Sequence, residues 1–210
     1  MKCDKRIMRL YAVTDRAWVG EKTLVEQIED ALKGGVTCVQ LREKELAEEL
    51  FLQEAHQIHE LCKQYEVPFI INDNVDIAVA CGADGVHVGQ RDMSIKLVRE
   101  KLQPHQLIGV SVQTVEQAIL AEKEGASYLG VGAVSSTSTK SDAIHVTYET
   151  LKSICEAVSI PVVAIGGINE DNVLQLAHSG IDGIAVVSAL FSRKDITHAA
   201  QNLYQLGGQL

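Results

Sequence analysis

The chain has 210 residues, 46% of them hydrophobic but only 4% aromatic, and a formal net charge of −9. That length supports a large core filled by Val, Ile, Leu and Ala, and the acidic balance argues against a nucleic-acid or anionic-membrane partner, so any cationic site must be local. No stretch approaches the ~20 apolar residues of a membrane span. The basic start is not followed by the long apolar run of a signal peptide. Cys3, Cys38, Cys62, Cys81 and Cys155 are scattered without a CxxC, as expected of reduced thiols in a cytoplasmic protein rather than disulfides or a zinc site.

Short apolar runs recur from end to end, separated by helix-patterned segments. Residues 7–14 read as the first strand, 22–33 as the first helix, 36–41 as the second strand and 46–65 as a long helix. Further strands are expected at 68–71, 85–88, 107–112, 128–131, 161–165 and 181–187. Eight strands alternating with helices predict a parallel sheet with both faces covered. The number eight suggests closure of residues 1–210 into a single-domain (β/α)8 TIM barrel, with tight loops because such barrels typically need ~250 residues. Gly34-Gly-Val-Thr, Gly82-Ala-Asp-Gly, Gly125-Ala-Ser-Tyr and Gly180-Ile-Asp-Gly each join a helix end to an even-numbered strand. Their recurrence at about two βα units marks an internal repeat, in which the leading Gly supplies a left-handed helix stop. Pro68 and Pro161 open odd-numbered strands. One connection, 133–146, is long and rich in Ser, Thr and charge. With few apolar anchors it reads as a mobile lid or binding loop, closed by Lys140 over an anion.

In such barrels the chemistry lies at the carboxyl ends of the strands. At the seventh, Gly166-Gly167 offers bare amides ahead of a helix capped by Asn169, favoured by Glu170 and Asp171 and closed by Gly180. At the eighth, Val187-Ser188-Ala189 adds a hydroxyl. Together these make a phosphate site without a cation. Gln40, Arg42 and Lys44 alternate after the second strand and are expected to point the same way. Two cations turned into one cavity of an acidic protein suit an anion, the alternative being a surface cluster paired with Glu43 and Glu45. Asn72-Asp73 ends the third strand, and Asp92 follows the fourth. Each aspartate reads either as a helix cap or as one of two carboxylates that bind Mg²⁺ together with phosphate oxygens. Ser111 ends the fifth strand, and Thr137, Thr139 and Lys140 lie in the long loop. His56 and His59 read as surface residues, His87 as a satisfied core histidine among apolar neighbours, and Tyr11 and Trp18 as plugs of the barrel mouth.

The segments VQLREK, INDNVDIA, GADGVHVGQRD, GVSVQT, YLGVGAV with TSTKSD, AIGGI and AVVSAL occur in this order over most of the chain. They resemble the thiamin-phosphate synthase family. The resemblance implies a (β/α)8 barrel that joins a hydroxymethylpyrimidine diphosphate to a thiazole phosphate, releasing diphosphate with Mg²⁺. It implies that Gln40 contacts the pyrimidine, and that Arg42, Lys44, Asn72, Ser111 and Lys140 hold the diphosphate, with Arg42, Ser111 and Lys140 acting in catalysis. Asp73 and Asp92 would bind the metal, and Thr137, Thr139, Gly167, Val187 and Ser188 would receive the thiazole phosphate. Such a dissociative reaction needs no protein nucleophile, only charge neutralisation and positioning. The chain departs from the family at 132–136, where Gly-Ala-Val-Ser-Ser replaces a Gly-Pro-hydrophobic-aromatic run. The related thiazole tautomerases tend to carry a His after the fifth strand, where this chain has Gln113, which is neither acid nor base. A sugar-phosphate isomerase would need an acid–base pair, and a non-catalytic phosphate-binding barrel would not need the metal and diphosphate residues. The expected partners are small molecules, and association into a homo-oligomer is left open by the sequence.

Overall fold

The computed structural model describes residues 3–136 and 145–210. Among these residues eight parallel strands close on themselves in chain order. They are β1 (Leu10–Val13), β2 (Cys38–Leu41), β3 (Phe69–Asn72), β4 (Gly85–Val88), β5 (Leu107–Val112), β6 (Tyr128–Val131), β7 (Val162–Ile165) and β8 (Gly183–Val186). The helices are α1 (Leu24–Lys33), α2 (Glu48–Gln64), α3 (Val75–Cys81), α4 (Ile95–Lys101), α5 (Val115–Glu124), α6 (Tyr148–Ala157), α7 (Ser188–Phe191) and α8 (Ile196–Gly207). Closure pairs β1 with β8 through Leu10↔Ile184, Tyr11↔Ala185 and Ala12↔Val186. Arg9 reinforces the seam, donating to Tyr204 O at 3.0 and 2.8 Å while its guanidinium stands 3.8 Å over the Tyr204 ring. No described helix is long and apolar enough to cross a membrane.

The internal repeat has a physical role. Thr37, Asp84, Ser127 and Asp182 accept, through their side chains, the backbone N–H of Leu10, Phe69, Ile108 and Val162 at 2.8–3.0 Å. Each thus ties the entrance of an even strand to the start of the odd strand before it. Two residues earlier in every case stands a glycine at positive φ: Gly35, Gly82, Gly125 and Gly180. Only glycine takes that conformation without a Cβ clash. The first left-handed stop is therefore Gly35, not Gly34, which caps α1 in a right-handed conformation.

Helix starts follow the local chemistry. Thr23 and Glu26 form a capping box on α1, and Asn74, Thr114, Thr147 and Asp195 cap α3, α5, α6 and α8 through their side chains. Two expectations change. After β7 there is no full helix, only a 3₁₀ turn at Val173–Leu176. Asn169 and Asn172 use their side chains on the loop's own backbone, Asn172 Oδ1 accepting from Asn169 N and Asn172 Nδ2 donating to Gly167 O, which competes with helix propagation. His59 is not a surface residue. Its ring is buried, bonded to Cys81 O at 3.0 Å and stacked on Phe69 at 5.5 Å, whereas His56 is exposed.

Apolar residues divide into two clusters. The larger lies between the strands and the helices, while Tyr11, Val13, Cys38, Ile70, Leu107, Tyr128, Val163 and Ala185 fill the barrel interior. Toward the carboxyl ends of the strands, glycine makes room inside. A Cβ on Gly109 would stand 2.2 Å from the Tyr128 ring and 2.4 Å from His87 Nδ1, and one on Gly130 would stand 3.0 Å from His87 Cε1.

Candidate active site

The carboxyl ends of the strands surround a cavity of about 1160 Å³, measured with its open mouth. Gln40, Arg42, Asn72, Ser111, Gly167, Val187 and Ser188, all expected from the sequence, line it. Lys44, Asp73 and Asp92 are not among the lining residues. Lys44 ion-pairs with Asp73, and Asp73 feels the neighbouring charge of Asp92. Thr137, Thr139 and Lys140 lie outside the described residues.

The alternation after β2 splits by position. Gln40 points into the barrel, its Nε2 donating to Tyr11 Oη at 2.8 Å. Arg42 is set by its own backbone N–H, which donates to Thr14 Oγ1 at 2.9 Å. Its guanidinium is 3.7 Å from Asp15 Oδ2. Glu43 turns the opposite way and is buried against Arg16, with contacts of 2.7 and 3.1 Å. Glu43 therefore does not pair with Arg42 or Lys44, which stand instead beside Asp15 and Asp73.

The capping alternatives for the two aspartates fail. The cap of α3 is Asn74, whose side chain accepts from Ile77 N. Asp73 instead sits at φ 59°, its N–H donating to His87 O at 2.8 Å. Asp92 Oδ2 accepts from Gly89 N at 2.7 Å and so closes the turn after β4, while Ser94 holds the cap position of α4. Burial pushes the Asp73 carboxyl above its ordinary value. The Lys44 ammonium pulls it back and Asp92 adds like-charge repulsion. Asn72 Nδ2 donates to Asp73 Oδ1 at 3.0 Å, and its Oδ1 is buried with no partner among the described residues. No described cluster of three or more His, Cys, Asp or Glu could hold a metal by itself. Two adjacent, mutually repelling carboxylates with a cavity beside them do fit Mg²⁺, which binds through one or two carboxylates and completes its shell with phosphate and water oxygens.

Across the barrel, β7 ends in Gly166 (φ 98°) and Gly167 (φ 70°). A Cβ on Gly167 would lie 2.3 Å from Ser136 O, so the approach of the 132–136 segment requires glycine there. That segment is held despite its departure from the family pattern. Val134 N donates to Ile165 O at 3.1 Å, Ser135 N to Gly166 O at 3.0 Å, and Val146 N to Ala133 O at 2.7 Å. Ala133 and Val146 are buried. Both ends of the 133–146 connection thus have the anchors that its composition did not promise. Val187 precedes α7, and Ser188, its first residue, lines the cavity.

Three cavity residues were not expected as part of the site. Tyr11, Tyr128 and His87 form its floor. Tyr11 lies within bonding distance of Tyr128 (2.8 Å), which meets His87 Nδ1 (3.1 Å), and His87 Nε2 meets Ser111 Oγ at 2.9 Å. His87 is buried and hydrogen-bonded as expected, but its neighbours are polar. The flanking residues in sequence are apolar because they face the helices. The signal available was strand parity, since His87 lies two residues after Gly85 on a face that points inward.

The sequence profile of the thiamine monophosphate synthase family matches residues 10–190. The chain is 52% identical over 197 residues to a thiamine-phosphate synthase of Ruminiclostridium cellulolyticum, covering 94% of each chain. It is 48% identical over 198 residues to that of Clostridium acetobutylicum, again covering 94% of each. Among solved structures, thiamine phosphate pyrophosphorylase from Pyrococcus furiosus superposes with a TM-score of 0.89 at 39% identity, over 97% of both chains. A geranylgeranylglyceryl phosphate synthase from Thermoplasma acidophilum, at 13% identity and a TM-score of 0.70, shares the barrel alone. With its profile matched across all eight strands and its relatives aligned almost end to end, the chain belongs to the thiamine monophosphate synthase family.

Proposed function

We propose that this transferase couples 4-amino-2-methyl-5-hydroxymethylpyrimidine diphosphate with 4-methyl-5-(2-phosphoethyl)thiazole, giving thiamin phosphate and diphosphate with Mg²⁺. What supports the reading is that two different sets of candidate anion-binding groups stand at separate strand ends around one cavity, Arg42, Gly167 and Ser188 in its lining and Lys44, Asp73 and Asp92 outside that lining. Arg42, Lys44, Asp73 and Asp92 stand at the ends of β2, β3 and the loop after β4. Gly167 and Ser188 stand at the ends of β7 and β8. One set suits a diphosphate with a metal, the other a phosphate monoester held by neutral donors.

The reaction breaks the C–O bond to diphosphate and forms a C–N bond to the thiazole nitrogen. The bonding pair leaves with the diphosphate, and the methylene cation left behind takes the nitrogen lone pair. Arg42, Lys44 and Ser111 stabilise the charge that grows on the leaving group, and the family resemblance assigns Lys140 to the same diphosphate and Thr137 and Thr139 to the thiazole phosphate. A bound Mg²⁺ would add charge neutralisation between Asp73, Asp92 and the diphosphate. Gln40 orients the pyrimidine above the Tyr11–Tyr128 floor. No thiol serves as a nucleophile, since burial pushes Cys3, Cys62 and Cys155 up to about 12. All five cysteines are free, which suits a reducing cytoplasmic setting. Gln113, in the cavity wall, gives no support to proton-transfer chemistry of the tautomerase kind.

Incubation of the purified protein with both substrates and Mg²⁺ should release diphosphate and thiamin phosphate in equal amounts. Omitting the thiazole phosphate should abolish thiamin phosphate formation. Failure to form it with both present would refute the reading. Ser188→Ala should weaken thiazole phosphate by about 1.5–3 kcal/mol, the value of a hydrogen bond to a charged group, and leave the pyrimidine substrate nearly unaffected. Titration of each ligand by calorimetry checks this, and equal weakening of both would contradict the placement. Asp92→Ala should raise the Mg²⁺ concentration needed for half-maximal activity by at least tenfold, roughly the 1.4 kcal/mol or more expected of one lost ligand. An unchanged metal requirement would reduce Asp92 to the closer of the Gly89 turn.

A further inference from the structure

The floor of the cavity is a continuous chain of hydrogen bonds whose two ends, Gln40 and Ser111, line the cavity. Gln40 Nε2 donates to Tyr11 Oη at 2.8 Å. From there the chain passes through Tyr128 Oη (2.8 Å), His87 Nδ1 (3.1 Å) and His87 Nε2 to Ser111 Oγ (2.9 Å). Tyr11 and Tyr128 are at most 2% exposed. Burial raises both phenols well above their ordinary value, so each keeps its hydrogen.

A phenol has one hydrogen to give, and a neutral imidazole has one N–H and one acceptor nitrogen. Within these limits one run of donors is consistent with the Gln40 donor at its end. The Gln40 N–H enters the Tyr11 oxygen, and in that run the Tyr11 hydrogen goes to the Tyr128 oxygen. The Tyr128 hydrogen then goes to His87 Nδ1, which in that run is the nitrogen without a proton. The imidazole proton is thereby placed on Nε2, where it enters Ser111 Oγ and leaves the Ser111 hydrogen for the cavity. At the other end Gln40 Oε1 takes no partner among the described residues and is left as an acceptor.

We propose that Tyr11, Tyr128 and His87 are positioning residues that polarise this chain in one direction, so that Gln40 presents an oxygen to an N–H donor on the pyrimidine while Ser111 presents a hydrogen to an anionic oxygen of the same substrate. A site polarised in this direction disfavours a ligand with the opposite pattern of donor and acceptor. The inference rests on the substrate assignment above for the identity of the ligand, but not for the direction of the chain.

Two measurements test it. In the substrate-free protein, ¹⁵N chemical shifts of the His87 ring, identified by their loss in His87→Gln, should show Nδ1 without a proton and Nε2 with one. A protonated Nδ1 would overturn the proposal. In kinetics, Tyr128→Phe removes one oxygen and keeps the ring. It should lower kcat by about 10–100-fold, as loss of a group that orients a contacting residue does, with little change in KM for thiazole phosphate. The same substitution added to Ser111→Ala should cost no more than about twofold, because the residue it acts through is gone. Equal losses in both backgrounds would mean that Tyr128 acts only by packing. Should Tyr128→Phe fail to fold, Tyr11→Phe breaks the neighbouring link and is read in the same cycle. If the wild-type protein makes no thiamin phosphate, the substrate assignment fails while the imidazole shifts still decide the direction.

Discussion

Replacing Ser111 by alanine is expected to lower kcat by about 10²–10³-fold, the range for losing one preorganised donor to a developing oxyanion. Ser111 ends β5 at the cavity, its oxygen already occupied by His87 Nε2 at 2.9 Å and its backbone carbonyl held by Gln90 Nε2 at 2.8 Å. Such a hydroxyl is fixed before substrate arrives and pays no reorganisation when charge moves onto the leaving group. The substitution also strips His87 Nε2 of its Ser111 hydrogen-bond partner, which costs up to about 1–3 kcal/mol of stability. Water entering the cavity reduces that cost. Activity and the thermal midpoint should therefore part company, with a large loss in diphosphate release and a shift of only a few degrees. A variant that keeps near-normal kcat would remove Ser111 from the chemistry.

Gly183→Ala is expected to have the largest effect on stability. An added Cβ would lie 1.8 Å from Met8 O and 2.4 Å from Met8 C, both backbone atoms, at the entrance to β8. Neither atom can swing away as a side-chain tip would, because Thr37 Oγ1 and Ile184 N fasten the adjoining Ile7 and Arg9 carbonyls. Overpacking commonly costs 1–3 kcal/mol where side chains can adjust, and here a loss of about 3 kcal/mol or more is expected. Urea unfolding measures it. Ala at Gly125 meets nothing within 4 Å and costs only the backbone strain of φ 100°, so that variant serves as the milder control. Comparable stability of the two variants would mean that the β1–β8 seam accommodates a methyl group.

The strands were legible because each is a short apolar run between turn residues, and parity then placed Gln40, Asn72, Ser111, Gly167 and Ser188 at the cavity. Four things were not legible. The floor was hidden because the partners of His87 come from strands 24 and 41 residues away, so its neighbours in sequence said nothing of its neighbours in space. His59 was hidden for the same reason, since its hydrogen bond to Cys81 O crosses from α2 to the end of α3. The expected helix after β7 had suitable caps, but Asn169 and Asn172 spent their side chains on the loop. That Asp73 and Asp92 do not hold the helix-cap positions needed coordinates, because a cap and a metal ligand have the same letter in a sequence. Only the observation that Asn74 caps α3 frees Asp73 for other work.

The Arg9–Tyr204 bond, spanning 195 positions, and the pairing of Leu10 with Ile184 also bear on how the protein is made. A ribosome adding ~5–20 residues per second takes roughly 10–35 s between releasing β1 and releasing β8. Throughout that interval β1 has one hydrogen-bonding edge with no neighbour, and an unpaired edge is a template for another chain. Most of the barrel can assemble strand by strand as it emerges, but the first strand waits for the last. The newborn chain is most exposed to misassociation just before it is complete, and holding its first strand safe over that interval is a task for the cell's folding machinery rather than for the sequence alone.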